Sequence, residues 1–105
     1  MQNQRQWTAS HPVIKSFADR DTRLIFLRRH SRRVPSDLLR VALRKLVQVN
    51  AAASLEFLRV PPGNRLERLA RERTGQHSIR INDQWRICFR WNDGDAYEVE
   101  IVDDH

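Results

Sequence analysis

Arg65-Leu-Glu-Arg-Leu-Ala-Arg-Glu-Arg-Thr-Gly-Gln-His-Ser-Ile-Arg-Ile-Asn-Asp-Gln-Trp-Arg-Ile-Cys-Phe-Arg-Trp91 is the stretch of this chain that decides its fold. Ile79 and Ile81 alternate with Ser78, Arg80 and Asn82, and Trp85, Ile87, Phe89 and Trp91 alternate with Arg86, Cys88 and Arg90. Alternation with period 2 marks half-buried antiparallel strands. One face is expected to pack a core and the other to present guanidinium groups to solvent. A cationic sheet of this kind suits a polyanion, RNA first among them.

Working outward, Asn82-Asp83-Gln84 and Asn92-Asp93-Gly94-Asp95 suit hairpin connections. A last strand is expected over Tyr97–Val102, with Tyr97, Val99 and Ile101 on one face. Upstream, Pro61-Pro62-Gly63-Asn64 reads as a rigid loop. Before it, Pro35-Ser36-Asp37 opens a helix in which Leu38, Leu39, Ala42, Leu43, Leu46, Val47 and Val49 recur at spacings of three and four. This helix is expected to run to about Asn50 or Ala52, with Arg40, Arg44, Lys45 and Gln48 on its polar side. A first helix, capped by Asp21 or Thr22, would carry Leu24, Ile25, Leu27 and Arg28. Val13–Phe17 suits an edge strand. Two N-terminal helices packed on a curled antiparallel sheet make an α+β domain. Residues 1–13, polar and aperiodic, read as a flexible extension of a domain spanning 14–105, although Trp7 within it could dock on a surface.

The chain of 105 residues has a formal net charge of +6, which favours nucleic acid, a ribosome or an acidic protein. Its single cysteine, Cys88, excludes an intramolecular disulfide and reads as a packed, inert thiol. No apolar run approaches the ~18 residues of a membrane span, so no membrane role and a cytoplasmic location are expected. There is no phosphate-binding glycine loop and no nucleophile elbow. His11, His30, His77 and His105 lack metal-ligand spacing, and no metal or cofactor is expected.

One constellation has the chemistry for RNA cleavage by internal transesterification: Arg86 together with the terminal Asp103-Asp104-His105. Such cleavage needs a base for the 2′-hydroxyl proton, a cation for the phosphorane charge and an acid for the leaving 5′-oxygen. Arginine supplies the cation, and histidine suits either proton transfer near neutral pH. The plainer readings are a frayed terminal His105 and an Arg86 ion-paired across the sheet with Glu98 or Glu100. The crowding of Arg65, Arg68, Arg71, Arg73, Arg80 and Arg90 into one segment favours phosphate contacts.

Ile14-Lys15-Ser16-Phe17, Arg44-Lys45-Leu46, Pro61–Glu67, Gly75–Phe89 and Val99–Asp103 closely resemble the HigB, or plasmid maintenance killer, branch of the RelE/ParE toxin superfamily. The resemblance implies a microbial RNase-like α+β fold and a type II toxin that cuts mRNA on the ribosome. It also implies a helix-turn-helix, HigA-like antitoxin as partner, with operator DNA reached only through the antitoxin complex. Residue by residue, Arg86 matches the arginine implied to contact the scissile phosphate, and Arg73 a further basic position of the site. Asp103 and His105 match the first and last members of a terminal Asp-Tyr-His, with His105 as acid or base and Asp103 orienting it or the RNA. Arg65, Arg68, Arg71, Arg80, Arg90 and Lys45 are then expected to bind RNA. Two departures stand out. Asp104 replaces the tyrosine, which predicts attenuated cleavage, and Arg71-Glu72 stands where relatives carry glycine and aspartate. If that glycine serves a turn with positive φ, Arg71 is strained there. Two other roles remain open: a weak toxin that acts mainly by binding its antitoxin as co-repressor, and the gyrase inhibition of ParE-like members.

Overall fold

The computed structural model describes residues 12–103 of the chain. It is an α+β domain in which a four-stranded antiparallel sheet carries its helices on one face. The strands are β1 (Glu67–Arg68), β2 (Gln76–Arg80), β3 (Trp85–Asn92) and β4 (Asp95–Asp103), paired in the order β1-β2-β3-β4. Asp93 and Gly94, both at positive φ, close the β3–β4 hairpin as a two-residue turn. The β2–β3 connection is held by Asn82, whose Oδ1 accepts from the backbone N–H groups of Gln84 and Trp85.

The apolar face behaves as its alternation predicts over β2 and β3. Ile79, Ile87 and Phe89 are fully buried and Trp85 nearly so, while Trp91 packs partly against the core. On β4 the alternation breaks. Cys88 pairs with Glu100 but Arg90 pairs with Tyr97, so Glu98 and Val99 together stand opposite Phe89. Glu98 is at φ +54, and this β-bulge switches the phase of the strand. Ala96, Val99 and Ile101 therefore face the core, and Tyr97, expected beside Val99, lies on the side of Arg90.

The helices are α1 (Arg20–Phe26) and α2 (Leu39–Ala51). Among the described residues only α1 lies near the N-terminus, and it is two turns long. Its cap is Asp19, not Asp21 or Thr22: the Asp19 carboxylate accepts from the backbone N–H and the hydroxyl of Thr22. Thr22 is free to turn inward, where its hydroxyl accepts from the Ile101 backbone N–H at the sheet edge. α1 ends with Arg28 at φ +61 and hydrogen bonds from Arg28 to Ile25 and from Arg29 to Leu24, a Schellman closure.

In α2 the first turn, Ser36–Leu38, is 3-10 rather than α. Its buried stripe is Ala42, Lys45, Leu46 and Val49, a full i, i+3, i+4, i+7 set. Lys45, expected on the polar side, lies inside, and Val47, expected in the core, is exposed. The Lys45 Nζ donates to Asn64 Oδ1 at 2.5 Å, and Asn64 donates in turn to Gln48 Oε1 and the Leu58 carbonyl, both at 3.1 Å. This buried set ties the loop before β1 to α2. Residues 13–18 run parallel to β4 and cover its edge, pairing through isolated bridges at Ile14–Ala96 and Phe17–Val99 rather than as a full strand.

Candidate active site

The second face of the sheet is not the open cationic surface that alternation alone suggests. After β1 the chain turns back over it. Leu69 N donates to Gln76 O at 2.9 Å, and a 3-10 turn over Arg71–Arg73 leads into β2. This return covers Gln76, Ser78 and Cys88, which are buried although they belong to the polar face. Between the return and the sheet lies a cleft of about 300 Å3, lined by residues that include Glu67, Arg71, Glu72, Arg73, Ser78 and Arg86.

Arg86 forms the floor of the cleft. Its side chain is only 12% exposed. Nε donates to Ser78 Oγ at 2.8 Å and Nη2 to the Arg65 carbonyl at 3.0 Å. Glu67 Oε1 lies 3.4 Å from Nη2 and remains 58% exposed. Ser78 can reach Arg86 because Glu67, Ser78 and Arg86 all point from the same face, as the β1–β2 and β2–β3 registers require. The ion partner of Arg86 is thus Glu67, not Glu98 or Glu100. Glu98 pairs with Arg90 at 3.1 Å, and Glu100 with Arg73 at 3.3 Å. Arg73 also donates to Gln76 Oε1 at 2.9 Å.

Of the expected site residues, the structure brings Arg73, Arg86 and Arg71 to one cleft. Arg71 is exposed, at φ +57, where an L-residue is strained and glycine is not. Arg80 and Arg90 share the face of Arg86 but bond to Asp83 and Glu98. Arg65 contributes its backbone carbonyl to the site while its side chain is exposed. Three expectations part from this group. Arg68 pairs in register with His77, which puts it on the helix-bearing face. Lys45 is buried and bonded to Asn64, so it does not offer its charge to an external phosphate. Asp103 pairs with Trp85, one register step from Arg86, on the opposite face of the sheet, and its carboxylate accepts from Gln84 Nε2 at 3.1 and 3.2 Å. Asp104 and His105 lie outside the described residues.

Burial, and after it the charges of Arg44 and Arg80, lowers the pKa of Lys45 from its ordinary value. Burial, and after it the charge of Arg68, lowers that of His77. Among the described residues no group of three or more His, Cys, Asp or Glu is placed to hold a metal ion, and no helix is long and apolar enough to cross a membrane. Glu67 and Ser78 take part in the site although neither is among the expected site residues. Glu67 sits on a strand of two residues, too short to show a period, and Ser78 reads as an ordinary polar-face residue.

What the cleft can do chemically is bind an anion the size of a phosphate next to a carboxylate that remains accessible. The chain is 45% identical over 74 residues, 70% of its length and 77% of the relative's, to a Vibrio cholerae protein named Toxin HigB-1. It is 36% identical over 72 residues, 69% of its length and 70% of the relative's, to an uncharacterized protein of Haemophilus influenzae. The family model described as the RelE-like toxin of the type II toxin–antitoxin system HigB matches residues 15–105, and the chain belongs to this family of HigB-like toxins.

Proposed function

We propose that this toxin is a metal-independent endoribonuclease that cuts mRNA on the ribosome and so inhibits translation. The observation that carries the reading is Arg86, a guanidinium fixed from two sides in a cleft that also holds the Glu67 carboxylate. Pre-set donors stabilise charge that develops in a transition state without having to reorganise. In this reading Arg86 and Arg73 hold the scissile phosphate. Glu67 takes the proton of the 2′-hydroxyl, and the 2′-oxygen attacks phosphorus. The bond to the 5′-oxygen breaks, and His105 supplies the proton that this oxygen takes up. The products are a 2′,3′-cyclic phosphate and a 5′-hydroxyl. Arg65, Arg71, Arg80 and Arg90 steer the domain onto ribosomal RNA, where charge acts over a Debye length of ~10 Å. By the family pattern Asp104 puts a negative charge where a tyrosine is expected. Repulsion of ~1–4 kcal/mol between charges near a partly desolvated site attenuates the enzyme.

The partner is a helix-turn-helix, HigA-like antitoxin. The complex binds operator DNA through the antitoxin, and the toxin works in the cytoplasm on ribosome-bound mRNA. The test is cleavage of a defined mRNA by the purified chain on translating ribosomes, with the ends mapped. New 5′-hydroxyl and cyclic phosphate ends support the reading, and their absence, even with Asp104→Tyr, refutes it.

One observation favours a second reading. Arg73, Arg80, Arg86 and Arg90 are each paired with a carboxylate of the chain itself, which neutralises much of the cationic face. A toxin so balanced could act mainly by binding its antitoxin as co-repressor. Equal toxicity of the wild type and Arg86→Ala would favour that role.

A further inference from the structure

The outer side of the helical layer carries an apolar groove of about 430 Å3, on the far side of the sheet from the cleft. Val47 and Ala51 of α2 form one wall, and Phe57, Val60 and Pro61 the other. Phe57 is 57% exposed and Val60 74%, and with Val47 they make the largest cluster of exposed apolar side chains among the described residues. Clustered apolar exposure of this kind marks a contact surface.

The path of the chain indicates what covers it. The described residues begin at Pro12, and Val13 is fastened to the last turn of α2. Its N–H donates to the carbonyl and to Oδ1 of Asn50, both at 3.1 Å, and the Ile14 N–H donates to the same Oδ1 at 3.0 Å. Asn50 is the helical neighbour of Val47 at i+3 and precedes Ala51. Val13 therefore lies on the flank of α2 beside Val47, and Asn50 is not itself a lining residue of the groove. Trp7 stands five residues before Pro12, a reach of up to roughly 18 Å for extended chain. The α2 span that lines the groove, from Arg44 to Ala51, is only about 10–12 Å long at 1.5 Å per residue. Trp7 is the one large aromatic residue among residues 1–11, where Gln, Asn, Ser and Thr surround it. Its indole matches a single apolar groove, and Gln48 Oε1 on the groove wall has a second lone pair for the indole N–H. A second copy of the chain fits less well. The exposed side of α2 carries Arg40 and Arg44, neither ion-paired among the described residues, and two such faces would repel.

We propose that Trp7 docks intramolecularly in the groove between α2 and Phe57–Pro61, so that the N-terminal segment covers the apolar patch of its own chain. The family match starts at residue 15, so this cover belongs to the part of the chain outside the matched region. A protein partner that uses the groove must first displace it.

Methyl NMR of the full chain and its full-length Trp7→Ala and Trp7→Phe variants tests this. In the wild type the methyls of Val47, Ala51 and Val60 are displaced upfield by the indole ring. The displacement is the same at all protein concentrations, is lost in Trp7→Ala and is partly kept in Trp7→Phe. Methyl positions that do not change in Trp7→Ala overturn the proposal and leave the groove to a separate partner. Displacements that grow with protein concentration overturn it in favour of a second copy.

Discussion

Arg86 and Ser78 face each other diagonally across β2 and β3, and the 2.8 Å hydrogen bond from Arg86 Nε to Ser78 Oγ sets the direction in which the guanidinium points. Ser78 is fully buried, so water does not compete for its hydroxyl. Ser78→Ala removes this hold and leaves the other contacts of Arg86 in place. Loss of one hydrogen bond to a charged group, worth ~1.5–3 kcal/mol, lowers cleavage ~10- to 100-fold. Single-turnover cleavage on ribosomes measures it. A stability close to wild type by thermal melting separates loss of positioning from loss of fold.

Glu67 is the accessible carboxylate beside Arg86. If it accepts the 2′-hydroxyl proton, Glu67→Gln costs ~100- to 10,000-fold in rate with ribosome binding intact, the usual span for a proton-transfer residue. Glu67→His restores part of the rate, and the restored activity rises with pH about the ordinary imidazole value of ~6.5. Full activity of Glu67→Gln would make Glu67 only an ion partner of Arg86.

Arg71 sits at φ +57 in the turn that covers the sheet, a conformation that glycine adopts without penalty. Arg71→Gly relieves the left-handed penalty of ~1–2 kcal/mol but loosens the unfolded chain, which leaves a net gain of about 0.5–1 kcal/mol. Chemical denaturation measures the gain. A destabilised variant would show that the Arg71 side chain contributes more than its backbone costs.

The alternation of Ile79, Trp85, Ile87 and Phe89 was enough to read β2, β3 and the core side of the sheet. It failed on β4 because the Glu98–Val99 bulge, a backbone event with no mark in the hydropathy pattern, reverses the faces at Tyr97. It failed at Lys45 because charge argues for the surface, whereas the Ala42–Val49 stripe and the buried Asn64 carry the side chain inward. Arg73 and Arg86 were legible as candidates one at a time. That they share a cleft depends on the return over Leu69–Gly75, and that Glu67 joins them depends on a two-residue pairing. Both are tertiary facts that local spacing does not carry.

His77 supplies a pH dependence. Its ring packs on Phe89 with centroids 6.1 Å apart, and burial and Arg68 hold its pKa below the ordinary 6.5. As pH falls through 6.5, the unfolded chain takes up a proton that the folded one resists, so stability falls from there down to the folded-state value and stays flat in this respect above 6.5. His77→Gln removes this part of the decline. Urea midpoints at about pH 7.5 and about pH 5.5 for both proteins, on either side of the ordinary imidazole value, measure it, and equal slopes would contradict the account.

In the proposed mechanism the fixed guanidinium of Arg86 makes this toxin a ribonuclease. The most direct test of this is end-mapping of mRNA in a translating extract supplied with wild-type chain or Arg86→Ala, each shown to be folded by its circular dichroism. New 5′-hydroxyl ends within coding sequence are expected for the wild type and at least ~100-fold fewer for Arg86→Ala, the scale of losing a fixed donor to transition-state charge. Equal cleavage by the two proteins, or none by either, would contradict it.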